Sequence, residues 1–278
     1  MKSVAALLSF GSTALADRSS SPRTDASLLL AHVLGHDGAW IVAHGDASPS
    51  EEETRAFARL CERRRAGTPI AYLVGYAGFY GRDFIVNENV LVPRPETEHL
   101  VDDVARSLRA SARVLDVGAG CGAIACTIAA QTPAFVDGTD RSAAAIAVAK
   151  ENARRLGVAD RCRFHHGDLT GPVRSQRFDA VVANLPYIPT SDLPQPPDPA
   201  SFEPRIALDG GPDGLSLYRR LLAELPPLLN DDALLLFEAA PPTIDKLADL
   251  VQRTFPHFTI SIGHDYANLP RYVRAENT

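Results

Sequence analysis

The stretch RVLDVGAGCGAIACTIAAQ, residues 113–131, decides how this chain is read. RVLDVG carries the aliphatic and β-branched run of a buried strand, and GAIACTIAAQ the small apolar residues of a buried helix. Between them stand Gly118, Ala119, Gly120, Cys121 and Gly122, just after Asp116. Glycines at a strand-to-helix turn let the backbone bend tightly and approach a ligand closely. Their spacing is Gly-x-Gly-x-Gly, not the Gly-x-Gly-x-x-Gly of dinucleotide binding, and no Gly-Lys-Ser/Thr follows for a triphosphate. A glycine loop without basic residues suits a nucleoside ligand that has no phosphate to hold; a turn with no ligand is the bland alternative.

Outward from this loop the pattern continues as alternating strands and helices. FVDGTD, CRFHHGD, FDAVVAN and ALLLFEAA read as further strands. SAAAIAVAKENARRLG, LSLYRRLLAELPPLL and TIDKLADLVQRTF read as helices. FTISIGHDY and PRYVRAEN can add a terminal antiparallel pair. The class is therefore α/β with a mostly parallel sheet covered on both faces, and its ligand belongs at the carboxyl ends of the strands. The second strand ends in Asp140, which either accepts hydrogen bonds from ribose hydroxyls or caps the next helix, with Ser142 nearby. The third ends in Asp168 and Leu169, beside an adenine ring, unless Asp168 merely caps a turn.

The fourth strand ends in Asn184, Leu185, Pro186 and Tyr187. Methylating a planar amide or aryl amine is hard because the nitrogen lone pair is delocalised. A site must orient the NH2 group and let its nitrogen become tetrahedral. Two acceptors aimed at the two N–H bonds achieve this: the Asn184 side-chain oxygen and the backbone carbonyl of Leu185. Pro186 fixes φ, and the Tyr187 ring can lie against the planar group. A strand-ending turn with an Asx bond is the competing reading. His165 and His166 read as structural or surface residues, so no general base is assigned.

The remaining segments set the organisation. Residues 1–75 are all-helical, 76–95 form a β-hairpin linker around Gly78, Gly81 and Asn87-Glu88-Asn89, and 96–278 form the strand–helix domain. TDASLLLAHVLG starts at a capping Thr24 or Asp25 and stops at Gly35; SPSEEETRAFARLCERRRAG is capped by Ser48 or Ser50 and ends at Gly67. Arg63, Arg64 and Arg65 read as a solvated face. The N-terminus superficially looks like a signal peptide, but Val4, Leu7, Leu8 and Leu15 make a helical stripe, so a first helix of a cytoplasmic protein is expected. No segment is long and apolar enough for a membrane span. The net charge of −6 argues against bulk binding of nucleic acid. Cys61, Cys121, Cys126 and Cys162 show no Cys-x-x-Cys spacing, so neither a metal site nor a disulfide frame is expected.

The order glycine loop, acidic residue, Asn-x-Pro-Tyr resembles the class I S-adenosylmethionine-dependent methyltransferases that act on NH2 groups. Asn-Leu-Pro-Tyr by itself is similar to the form in ribosomal RNA adenine dimethyltransferases. LVPRPETEHLV (91–101), DASLLLAHVLG, RRRAGTPIAYLVGYAGFYGRDFIVN, FEPRIALDGGPDGLSLYRRLL and HDYANLPRYV instead resemble, in order, the release factor glutamine methyltransferases of HemK type. That resemblance covers essentially the whole chain. It implies a small N-terminal helical bundle that recognises substrate, followed by a Rossmann-like methyltransferase domain with a mostly parallel seven-stranded sheet and an antiparallel terminal strand. It also implies S-adenosyl-L-methionine as cofactor, held by residues 118–122, Asp140, Asp168, Leu169 and Asn184, and methylation of the glutamine of a Gly-Gly-Gln loop at the site formed by Asn184–Tyr187. Peptide-chain release factors are the expected partners of a monomer, with no direct nucleic-acid contact. Arg94 and Glu96 would brace the site entrance, unless they simply pair with each other.

Two departures from the family pattern stand out. Leu185 replaces a proline, which adds a backbone N–H that needs a partner, and FEAAPPTID replaces the usual Glu-x-Gly with a following Gln. Five prolines between Tyr187 and Phe202 (Pro189, Pro194, Pro196, Pro197, Pro199) predict an extended lid or substrate loop. The alternatives are an adenine-N6 methyltransferase for RNA or DNA, and a catalytically silent partner of the translation machinery.

Overall fold

A computed structural model describes residues 2–277 as two units. The first comprises the chain up to Tyr76 together with Pro194–Phe202; the second comprises Ala77–Leu193 and Glu203 onward.

The first unit is built from α1 (Val4–Leu15), α2 (Pro22–Leu34), α3 (Gly38–Ala43), α4 (Glu51–Arg65) and α5 (Ile70–Val74). The N-terminal stretch is helical, its first turn closed by Ser3, whose hydroxyl accepts from Ala6 N–H. Val4, Leu7 and Leu15 are buried with Leu29, Leu30, Ile41 and Phe57 in one apolar cluster, and Leu8 packs against it. Ser50 and Glu53 form a reciprocal capping box on α4. In α2 the start lies earlier than Thr24: Pro22 occupies the first turn, where a missing N–H costs nothing. Asp25 is consequently inside the helix and buried, where it accepts from Ser19 Oγ (2.9 Å) and Arg64 Nε (2.7 Å). Arg64 thus turns inward while Arg63 and Arg65 stay exposed. The proline-rich segment is not extended throughout: it carries 3-10 turns at Thr190–Asp192 and Pro199–Phe202, and a Cβ on Gly67 would meet Phe202 at 2.6 Å.

The second unit opens with a two-stranded sheet of β1 (Tyr76–Phe79) and β2 (Arg82–Ile85). After α6 (Glu98–Ser107) the alternation begins: β3 (Arg113–Val117), α7 (Ala123–Gln131), β4 (Phe135–Asp140), α8 (Ala143–Arg155), β5 (Cys162–His166) and β6 (Phe178–Ala183). It ends with α9 (Ser216–Glu224), β7 (Leu229–Glu238), α10 (Ile244–Thr254), β8 (Phe258–His264) and β9 (Pro270–Asn277). α9 stops at Leu225 because Pro226 and Pro227 cannot continue a helix, leaving only a 3-10 turn over Pro226–Leu228.

The strands form one seven-stranded sheet, ordered β5-β4-β3-β6-β7-β9-β8. β3, β4, β5, β6 and β7 run parallel, and β9 runs antiparallel to both β7 and β8. One large apolar cluster packs α9 and α10 (Tyr218, Leu221, Leu222, Leu247, Val251) on Leu115, Val181, Leu235, Phe237 and Val273. Each such leucine contributes about 1.5–3 kcal/mol through burial. β3 and β6 are neighbours from which the chain winds in opposite directions, so their carboxyl ends splay apart and open a crevice.

Candidate active site

The crevice holds two adjoining hollows. The larger, about 80 Å3, lies among the ends of β3, β4, β5 and β6. Its wall includes Gly118, Gly120, Asp140, Asp168 and Leu169, and on the other side Asn184, Leu185 and Pro186. The second, about 50 Å3, shares Gly118, Gly120 and Asn184 with the first and adds Ala119, Cys121, Arg94 and Thr97. Gly122 lines neither of them; it is packed against Ala149 of α8 and Phe164. Tyr187 also lines neither hollow; it packs partly buried against the large apolar cluster, and burial, with Glu238 nearby, holds its hydroxyl well above the usual tyrosine range.

The loop after β3 has left-handed backbone at Gly118 (φ 80°) and Gly120 (φ 54°). A Cβ on Gly118 would meet Leu185 Cδ2 at 2.9 Å, so this glycine permits the NLPY turn to pack directly on the loop. Gly120 faces open space, and its N–H is turned to Asp140 Oδ2 at 2.9 Å. Asp140 Oδ1 accepts from Ser142 N–H at 2.8 Å, while Ser142 itself caps α8. Asp140 is therefore not the helix cap; its carboxylate braces the loop and retains lone pairs toward the hollow, and burial raises its pKa. Asp168 pairs with Arg220. Asp116 is fully buried, accepts from Ala125 N–H through Oδ2, and has no partner for Oδ1 among the described residues. Burial pushes its carboxyl up to about 7.

These features fit S-adenosylmethionine: a glycine cradle with room beside Gly120, a carboxylate at the end of β4, a largely apolar wall, and Arg141 as the one cation among the described residues lining the larger hollow. Cys121 is buried with its thiol pushed up to about 12, so it is no nucleophile. His165 pairs with Asp137 at 2.7 Å and His166 with the Arg141 carbonyl, which gives both structural partners. Among the described residues no cluster of three or more His, Cys, Asp or Glu is arranged to hold a metal, and no helix is long and apolar enough to cross a membrane.

The NLPY turn is held from all sides. Asn184 Nδ2 donates to Thr97 Oγ1 at 3.2 Å, which directs its Oδ1 the other way. Leu185 N–H donates to the Tyr218 hydroxyl at 3.2 Å, and that hydroxyl donates in turn to the Glu238 carbonyl. The segment Glu203–Leu215 wraps the far side: Ile188 N–H reaches Leu208 O, Gly210 N–H reaches Ile188 O, and Thr190 N–H reaches Gly211 O. A Cβ on Gly210 would meet Pro186 O at 2.7 Å. Arg94 does not pair with Glu96. It makes two 2.8 Å hydrogen bonds to buried Glu203, and Glu96 lies 3.7 Å from Arg271. PRPETE and EPRIALDGGPDGL, distant from the turn in sequence, thus both close on it. No local sequence pattern marks Thr97, Tyr218, Glu203 or Glu238 for these roles. Only their membership in those segments, and the burial implied for a lone Glu ending an apolar strand, could have pointed to them.

A family model described as the PrmC N-terminal domain matches residues 6–75, and one described as the methyltransferase small domain matches residues 95–193. A "Release factor glutamine methyltransferase" of Rhodopirellula baltica is 44% identical over 264 residues, covering 92% of this chain and 89% of the relative. The chain belongs to the release factor glutamine methyltransferase family. A second member, from Bacillus cereus, is 38% identical over 258 residues, covering 90% of each. Among solved structures, a methyltransferase from Pyrococcus furiosus aligns with a TM-score of 0.52 at 17% identity, over 72% of this chain and 90% of its own. The ribosomal protein L11 methylase of Lactobacillus delbrueckii aligns at 0.50 and 18% identity, over 73% and 90%. At such identities these two share the fold.

Proposed function

We propose that this protein transfers the methyl group of S-adenosyl-L-methionine to the side-chain amide nitrogen of the glutamine in the Gly-Gly-Gln loop of peptide-chain release factors. The observation that carries this reading is the orientation of Asn184: its NH2 is engaged by Thr97, so its oxygen is presented to an incoming NH2 group. The cofactor supplies an electrophilic methyl group when bound among Gly118–Gly122, Asp140, Asp168 and Leu169. Asn184 Oδ1 and the Leu185 carbonyl accept the two amide N–H bonds, fixing the nitrogen as its lone pair leaves conjugation. Pro186 stiffens that pair of acceptors, and Tyr187 lies against the planar amide. The methylated nitrogen is acidic and gives its proton to water, so no strong base is needed. Arg94 and Glu96 act at the entrance through Glu203 and Arg271.

In this reading residues 1–75 recognise the protein substrate, residues 76–95 link, and residues 96–278 carry the chemistry. The protein acts as a cytoplasmic monomer without binding nucleic acid, in keeping with its charge of −6. The test is methyl transfer from labelled S-adenosylmethionine to purified release factor, to a Gly-Gly-Ala variant of it, and to an RNA panel. Label on the wild-type factor alone is expected; label on RNA overturns the reading.

A further inference from the structure

We infer that Glu238 is a positioning residue that fixes which end of the Asn184 carboxamide faces the substrate, acting directly and through Thr97. This rests on the glutamine methyltransferase reading above. β6 and β7 are in parallel register with Ala183 opposite Phe237, so Asn184 and Glu238 leave their strands side by side. Glu238 is 3% exposed, and its Oε2 has no hydrogen-bond partner among the described residues. A buried carboxyl left half-satisfied is costly, and such groups persist where they serve the site. The side chains of Thr97 and Asn184 both stand against this carboxyl and stabilise its charged form.

The chemistry follows from donor counting. A carboxamide fits its pocket equally well either way round in shape; only hydrogen bonds distinguish its two ends. Reversed, Asn184 would present NH2 to an NH2 substrate, donor against donor. Thr97 Oγ1 accepts from Asn184 Nδ2 at 3.2 Å and has one hydrogen to give. An ionised Glu238 can only accept, from the Thr97 hydroxyl and from the Asn184 NH2 alike, so it holds the NH2 end inward both directly and through Thr97 and leaves Asn184 Oδ1 outward. A protonated Glu238 can donate to Thr97 and allow the amide to turn.

Burial is the largest influence on the Glu238 carboxyl and pushes it up to about 7. Glu96 reinforces the rise, while Thr97, Arg271 and Asn184 oppose it. The hydroxyls of Tyr187 and Tyr218 also face Glu238, and both stay protonated. Turnover should therefore decline as pH falls through about 7.

The test measures kcat, KM for release factor and calorimetric affinity for S-adenosylmethionine from pH 6 to 8.5. It compares wild type, Glu238→Gln, Thr97→Val and Thr97→Ser. Glu238→Gln and Thr97→Val should each lower kcat by about 10²-fold, the scale of a lost orientation, with cofactor affinity changed less than about threefold. Thr97→Ser, which keeps the relay hydroxyl, should retain activity, and Glu238→Gln should lose the acid limb near pH 7. Wild-type kcat in Glu238→Gln, or full activity in Thr97→Val, overturns the relay while leaving the reaction standing. A wild-type enzyme that does not methylate release factor at all overturns the reaction and the relay together.

Discussion

The backbone N–H of Leu185 is bound to the hydroxyl of Tyr218 at 3.2 Å, and the same hydroxyl donates to the carbonyl of Glu238. One buried phenol on α9 thus ties the end of β6 to the end of β7. Leucine in place of the usual family proline brings an N–H into the turn, and Tyr218 is where that N–H goes.

Leu185→Pro should accordingly keep kcat within about threefold of wild type, because the carbonyl proposed to accept the substrate N–H survives. It removes one hydrogen bond, at about 1 kcal/mol. Tyr218→Phe should cost more, about 2–4 kcal/mol, since it strands both Leu185 N–H and Glu238 C=O in the core. In the Leu185→Pro background the same Phe substitution should cost about 1 kcal/mol less. Urea denaturation of the four proteins in that cycle checks this; strict additivity would show that the two groups are not coupled.

Gly118→Ala is expected to weaken S-adenosylmethionine binding at least tenfold. The residue sits at φ 80°, where an L side chain costs about 1–2 kcal/mol, and its Cβ would strike Leu185 Cδ2. Pairing it with Leu185→Ala should recover part of the affinity but not all, because the backbone strain remains. Calorimetric titration of both variants distinguishes the two contributions.

Arg94 holds a carboxylate whose side chain is only 2% exposed. Arg94→Ala leaves Glu203 charged and buried, and should destabilise the protein by about 3 kcal/mol. Adding Glu203→Gln should restore at least half of the loss. A thermal scan in which the double variant melts no higher than Arg94→Ala would contradict the pairing.

Two buried carboxyls, Asp116 and Glu238, have pKa values raised to about 7 from 3.8 and 4.5. A group raised in the folded state stabilises it fully below its unfolded pKa, and that stability is lost as pH rises through the folded value. Their joint contribution is therefore greatest below about pH 4 and declines toward pH 7. Paired Asp213, lowered to about 2, acts in the opposite sense and loses its contribution as pH falls from about 4 to 2. Stability without cofactor should thus fall between pH 5 and 8, and Asp116→Asn should flatten that slope. An unchanged slope in this variant would contradict the assignment. Turnover, which needs Glu238 ionised, should rise over the same interval.

The glycine loop, the seven sheet strands and the NLPY turn were legible because each is a local signal. A β-branched run, a Gly-x-Gly spacing or an Asn-x-Pro has its physical meaning within a few residues. The partners of the turn were not. Thr97 and Glu238 reach Asn184 because β7 adds beside β6 and residues 93–98 pass the same sheet end, an adjacency set by topology. Arg94 has a carboxylate two residues away in Glu96, and sequence proximity suggested that pairing; the structure gives Arg94 to Glu203 and places Glu96 beside Arg271. Composition alone predicts an extended proline-rich run. Its Pro194–Phe202 portion belongs instead with the helical unit, where Gly67 leaves room for Phe202.

The most direct measurement is mass spectrometry of the Gly-Gly-Gln peptide of a release factor after incubation with S-adenosylmethionine and either wild-type enzyme or Asn184→Ala. The account predicts one methyl group on the glutamine with wild type, and a rate lower by about 10²-fold or more with the variant, as for loss of one oriented polar partner of the transition state. An unmodified glutamine with wild type, or equal rates for the two enzymes, would contradict it.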